Sequence, residues 1–201
     1  MVITKNLKQK YALISVFDKK NLRYLCANLN KFDYKFISTG STGKRIRDMG
    51  FKCRDISKIT KHKEMFDGRV KTINPLIYSS LLYKRENEFH KKQFLSLKVP
   101  EIDIVIVNLY PFKKYLKTKG INDIIEMIDI GGPSLLRASG KNFRYVTPIM
   151  DVKDYKKLIN NLKKNNGITD FSFRKKMAHK IYKGTSSYDK IISDWLDESQ
   201  K

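Results

Sequence analysis

Acidic residues are scarce in this chain, and so are the residues that hold metals or form redox pairs. Twenty Asp and Glu stand against 42 Lys and Arg, leaving a net charge of +22 on 201 residues. The two cysteines, Cys26 and Cys53, have neither redox nor zinc-ligand spacing. The three histidines, His62, His90 and His179, form no HxxxH or Cys/His cluster, so no metal centre is expected. No run of about 18 apolar residues occurs, which excludes a helical membrane span. The basic stretch from Met1 to Lys10 lacks the apolar segment and small-residue cleavage site of a signal peptide. Cytoplasmic localisation with reduced cysteines is the expectation that follows.

What is present suffices for a globular fold: 41% of residues are hydrophobic and 11% aromatic, and a chain of this length buries roughly 70% of its extended surface. The positive charge makes nucleic acid the first partner to consider. Yet the lysines are spread along the whole chain, as in Lys153 to Lys164, and there is no RNP-like aromatic motif, zinc finger or Arg-rich arm. A basic surface around a site for a small anionic molecule fits better, with nucleic acid bound only nonspecifically at low salt.

Strand and helix patterns alternate. Tyr11 to Phe17 is a short apolar run, and Leu22, Leu25, Cys26 and Leu29 then recur at helical spacing. Lys35 to Ser38 reads as a strand, Thr39 to Gly43 as a turn, and Lys44 to Met49 as a helix ended by Gly50. Phe51 to Ile56 reads as a third strand. The Ile/Val run from Ile102 to Leu109 fits a parallel strand covered on both faces. A helix near Ile121 to Met127, a Gly131-Gly132 turn, a helix opened by Pro133 and a strand from Arg144 to Ile149 follow. The remainder reads as helices over Val152 to Lys164, Asp170 to Tyr182 and Ser187 to Trp195. The fold expected is an α/β, doubly wound, mostly parallel sheet over 1–150 with a helical extension, 151–201, packed on it as one structural unit.

Ligands of such sheets bind beyond the carboxyl ends of the strands. Polar clusters fall there: Ser15 to Lys19, Thr39 to Thr42 and Asn108 to Phe112. A lysine, a Gly-Ser-Thr turn and a helix N-terminus together supply what a phosphate monoester needs. Gly40 to Lys44 suggests a P-loop, but Ser38 and Arg45 stand where that motif needs Gly and Ser or Thr. ATP binding by this loop is therefore not expected.

Asp67-Gly-Arg-Val-Lys-Thr72, Asn108-Leu-Tyr-Pro-Phe112, Asp129-Ile-Gly-Gly-Pro-Ser134 and Lys141-Asn142 occur in an order and spacing that resembles the inosine-monophosphate cyclohydrolase domain of the bifunctional purine-biosynthesis proteins. Tyr188-Asp189 is similar to that family's last helices. The resemblance runs from about Lys10 to Trp195 and implies a methylglyoxal-synthase-like fold. The activity it implies is dehydrative closure of formamidoimidazole carboxamide ribonucleotide to inosine monophosphate (IMP). It further implies no cofactor and a homodimer; the family's larger transformylase domain is not in this sequence, which leaves open a separate AICAR transformylase as partner or a longer bifunctional protein of which this is one part.

The resemblance gives Lys71, Asp129, Lys141 and Tyr110 catalytic roles. Asp18, Lys19, Thr39, Gly40, Ser41, Thr42, Arg69, Val70, Thr72, Asn108, Ile130 and Gly131 become substrate-binding residues. The types suit the reaction: a carboxylate accepts or orients an amide proton, and a lysine stabilises the oxyanion. Alone, Asp129 reads equally as a helix cap, and Lys71 and Lys141 as surface lysines. A straight helix between Asp129 and Lys141 would hold them about 15–18 Å apart, so Lys141 needs a bend in the segment or a site shared across a dimer.

Several residues depart from the family pattern: Phe17 for serine, Ser41 for glycine, Asn74 for histidine, Tyr78-Ser-Ser80 for a His-Gly-Gly-like segment, and Gly184 for histidine. Two other readings stay open. Methylglyoxal synthase shares the fold and a similar phosphate turn, but its Gly-Pro-x-Gly-Gly-Asp string is missing here. An inactive nucleotide- or RNA-binding module would also tolerate the departures.

Overall fold

The computed structural model describes residues 9–116 and 120–198; most of the N-terminal stretch read above, residues 1–8, lies outside them. The chain alternates β1 (Lys10–Val16), α1 (Leu22–Lys31), β2 (Tyr34–Ser38), α2 (Gly40–Asp48) and β3 (Cys53–Asp55), then runs through α3 (Ser57–Thr60), α4 (Pro75–Leu82) and α5 (Glu88–Ser96). It re-enters the sheet as β4 (Ile104–Asn108), passes α6 (Phe112–Tyr115), α7 (Ile121–Glu126) and α8 (Gly131–Lys141), and forms β5 (Thr147–Ile149). Two helices close it, α9 (Tyr155–Lys164) and α10 (Phe171–Glu198). The strands pair in parallel in the order β3-β2-β1-β4-β5. The expected doubly wound parallel sheet is therefore present.

Alternation along the strands shows why both faces are covered. Ala12, Ile14 and Val16 of β1 and Ile104 and Ile106 of β4 meet Leu22, Leu25 and Leu29 of α1 and Leu158, Ile159 and Leu162 of α9. Their neighbours Leu13, Val105 and Val107 point the other way, onto Ile77 and Leu81 of α4 and Leu135 and Leu136 of α8. Each such fully buried side chain contributes about 1.5–3 kcal/mol. A third cluster joins Phe112, Ile124 and Tyr188 with Trp195. Successive strands step outward from β1 to β3, then return to β4 on the other side of β1. The winding thus reverses between β1 and β4, the place where sheets of this class leave a crevice.

Several boundaries differ from the sequence reading. Gly40 to Gly43 is the first turn of α2, closed by the Gly43 N–H on the Thr39 carbonyl at 3.1 Å. Gly131 and Gly132 likewise belong to α8, which puts Pro133 third in the helix, where an N–H would still have no intrahelical partner. The two helices expected near the C-terminus are one, 28 residues long. Gly184 does not break it: a side chain there would collide with the Met150 methyl, and the Ser187 hydroxyl folds back onto the Lys183 carbonyl at 3.0 Å. The helices at 75–82 and 88–96 went unread, although Asn74 and Asn87 cap them by accepting the N–H groups of Leu76 and His90, both at 3.0 Å. None of the described helices is long and apolar enough to cross a membrane.

Candidate active site

A cavity of about 710 Å³ opens at the carboxyl ends of β1, β2 and β4, a size ordinary for a small-molecule site. Its walls are the Ser15–Phe17 segment with Lys19, the turn Thr39–Thr42, the loop Asp67–Ile73, Asn108 and Tyr110 after β4, and Ile128–Gly132 before and within α8. Most residues proposed from sequence thus meet in one place: Lys19, Thr39, Gly40, Ser41, Thr42, Arg69, Val70, Lys71, Thr72, Asn108, Tyr110, Asp129, Ile130 and Gly131.

The phosphate-type turn is tied down from below. Ser38 donates its hydroxyl to the Ile14 carbonyl at 2.6 Å, and the Ser15 and Thr39 hydroxyls lie 3.1 Å apart. Buried Thr42 donates to the Val16 carbonyl at 2.9 Å and accepts the Val16 N–H at 3.2 Å. Its hydroxyl is therefore spent on β1. What this turn presents is the set of N–H groups at Gly40, Ser41 and Thr42, which have no intrahelical acceptor. Gly40 adopts a φ of +40°, and a Cβ there would sit 3.1 Å from the Lys71 ammonium. The positive φ is what favours glycine here, since the Lys71 ammonium is the tip of a flexible side chain.

Lys71 is ion-paired with Glu64. The next residue, Thr72, is buried and lies against Gly131 so closely that a Cβ on that glycine would stand 2.7 Å from its Oγ1. The segment carrying the lysine is thereby held against the turn carrying Asp129. Asp129 accepts the Gly132 N–H at 2.8 Å, so it caps α8 as well as facing the cavity. Burial pushes its carboxyl above the ordinary 3.8, with the Gly132 hydrogen bond opposing. Arg69 meets Glu126 as a two-pronged pair, Nη2–Oε1 at 3.0 Å and Nε–Oε2 at 3.2 Å. Neither glutamate was anticipated from sequence; an exposed carboxylate, in a loop as at Glu64 or at a helix end as at Glu126, carries no local signal of what it faces.

Asn108, besides lining the cavity, has a structural task. Its Oδ1 accepts the N–H groups of Phe17 at 2.6 Å and Asp18 at 3.0 Å, and its Nδ2 donates to the Asp18 carbonyl at 3.0 Å. It latches the loop after β1 to the end of β4. Phe17, where the resembled family has serine, packs edge-on against Tyr110 with ring centres 5.1 Å apart.

Two proposed residues are not brought to this cavity. Asp18 instead lines a second hollow of about 1250 Å³ on the far side of the Phe17–Lys19 segment, with Tyr24, Lys153 and Tyr188, and accepts the Lys20 N–H at 2.8 Å. Lys141 is exposed at the last residue of α8. The helix from Gly131 to Lys141 is unbroken over 11 residues, so its ends are about 16 Å apart. The bend that a same-chain role required is absent. Among the described residues, no group of three His, Cys, Asp or Glu is placed to hold a metal ion.

Comparison with known proteins agrees with this geometry. The MGS-like domain model matches residues 21–134, and the AICARFT/IMPCHase bienzyme model matches 139–201. The bifunctional purine biosynthesis protein PurH of Clostridium botulinum (strain Hall) is 44% identical over 192 residues, covering 95% of this chain and 38% of the relative. PurH of Ruegeria sp. (strain TM1040) is 42% identical over 186 residues, covering 92% of this chain and 35% of the relative. The chain thus spans little more than a third of the length of these relatives. A crystal structure titled ForH superposes with a TM-score of 0.82 at 26% identity, covering 94% of this chain and all of that one.

Proposed function

We propose, from the premise that this chain belongs to the MGS-like domain family and ends in a segment matching the AICARFT/IMPCHase bienzymes, that it is an IMP cyclohydrolase. The observation that carries this is one cavity holding Lys71 and Asp129 on adjoining segments beside the open N-terminus of α2. A 5′-phosphate fits the α2 turn with Lys19 nearby, and the imidazole with its two carbonyl arms reaches toward Asp129.

In the reaction the carboxamide nitrogen attacks the formyl carbon, forming the new C–N bond. The amide proton leaves toward the Asp129 carboxylate, whose affinity for protons burial raises above that of an ordinary carboxylate. The formyl oxygen becomes an oxyanion facing the Lys71 ammonium and is protonated to a hydroxyl. Loss of that hydroxyl with the proton of the former formamide nitrogen creates the ring C=N bond and releases one water. Every atom is accounted for by substrate and these two groups, so no cofactor is needed. Holding the two arms in contact supplies part of the roughly 7–11 kcal/mol available from proximity.

The same reading makes the enzyme a cytoplasmic homodimer, with Lys141 serving the partner's site. Purified chain mixed with the formylated ribotide is expected to yield the hypoxanthine absorbance of IMP, unaffected by a strong chelator. No absorbance change with folded protein would overturn the reading. Sedimentation as a monomer at enzyme-assay concentrations would overturn the shared role of Lys141.

A further inference from the structure

The C-terminal helix reaches the turn that carries Asp129 through Tyr188. Tyr188, on α10, is buried with its ring edge-on to Phe112, centres 6.4 Å apart. Its hydroxyl accepts the backbone N–H of Asp129 at 2.8 Å and donates to the Met127 carbonyl at 3.2 Å. Those two hydrogen bonds span the short link between α7 and α8. Asp129 is consequently held at three points: its N–H by Tyr188, its Oδ1 by the Gly132 N–H, and its Oδ2 by space that exists only because residue 132 has no Cβ. Burial raises the Tyr188 phenol above its ordinary 10.0, so the hydroxyl stays protonated and keeps its donor role.

We propose that Tyr188 is a positioning residue of the cyclohydrolase site, aiming the Asp129 carboxylate into the cavity through its backbone. The inference rests on the reading of Asp129 as the proton-handling group. A main-chain hydrogen bond to a buried hydroxyl sets where the Cα of Asp129 sits, and misplacement of a reacting group by about 1 Å costs up to 10²-fold in rate. Helix α10 thus completes the catalytic turn as well as covering the sheet.

The test uses Tyr188→Phe, which keeps the ring and removes the hydroxyl, in the full chain. kcat is expected to fall about 10-fold or more with KM within about 2-fold, since the loss lies in orientation rather than binding. Combined with Asp129→Asn, it should add no loss beyond that of Asp129→Asn alone. Phe112→Leu loosens the same ring cluster without touching the hydroxyl; it should lower the melting temperature and leave kcat unchanged. Folded Tyr188→Phe with wild-type kcat, beside an inactive Asp129→Asn, overturns the inference alone. An equal kcat loss in Phe112→Leu also overturns it, because packing would then be the cause. An active Asp129→Asn removes the premise and the inference together.

Discussion

On the α2 wall of the cavity, Thr42 is buried with its hydroxyl committed twice to Val16; on the facing wall, Arg69 and Lys71 follow a stretch, residues 61–67, whose side chains are all exposed. The first wall is part of the sheet's own hydrogen bonding. The second is secured by ion pairs with Glu64 and Glu126, and Arg69 and Glu126 are each more than half exposed. Exposed pairs contribute about 0–1 kcal/mol, far less than a buried hydrogen-bonded hydroxyl. Under the proposed function, the difference separates two tasks: a preorganised edge that receives an anion without moving, and a loop whose cations are released from their own carboxylates when a ligand arrives.

The largest effect expected is on turnover, at one residue of the loop wall and one of the turn before α8. Lys71→Ala and Asp129→Asn should each lower kcat by about 10²–10⁴-fold, measured by IMP formation under saturating substrate. Equal activity of Lys71→Ala and wild type would reduce the loop to a cover. Next is Thr42→Ala, which strips the partner from two buried Val16 groups. It should cost roughly 1–3 kcal/mol in urea unfolding, with nucleotide affinity nearly unchanged and Thr42→Ser restoring most of the stability. A large affinity loss at unchanged stability would mean that the hydroxyl faces ligand.

Asp129 provides a smaller, pH-dependent test. Its folded value is raised by burial, so its contribution to stability is fully present below the ordinary 3.8 and is lost as pH rises through the elevated folded value. Asp129→Asn keeps an acceptor for the Gly132 N–H and should be at least as stable as wild type at neutral pH, with the gap closing toward pH 4. A gap that widens in acid would refute the assigned shift. Smallest is Glu126→Gln: thermal stability should hold within about 1 kcal/mol, while calorimetric titration with IMP shows affinity about 2- to 5-fold tighter, because Arg69 no longer has to leave a carboxylate. Weaker binding would show that Glu126 helps hold the nucleotide.

Much of the sheet was readable because its signals are local. Ile104 to Asn108 is apolar at nearly every position, and Leu22 to Leu29 keeps helical period, so each element declares itself within a single window. Gly184 shows the limit of such windows: glycine ordinarily weakens a helix, but here it makes room for Met150, a residue 34 positions earlier in the sequence. At the site, the resemblance named residues that the fold gathers into one cavity, while Glu126 and the hydroxyl of Tyr188 act across sequence gaps of 57 and 59 residues that no window contains. Lys141 shows the converse. Its motif matches, yet a straight helix carries it to the opposite end from Asp129.

The reversal between β1 and β4 also imposes a schedule. The Tyr11 N–H bonds to the Asp103 carboxylate 92 residues later, and all of β1's pairing with β4 waits for that stretch to exist. At synthesis rates of about 5–20 residues per second, the central strand spends roughly 5–20 seconds with one edge bare. During that interval Ala12, Leu13 and Ile14 form an apolar template open to any other strand, which makes slower translation of residues 30–100 a route to aggregation rather than to better folding.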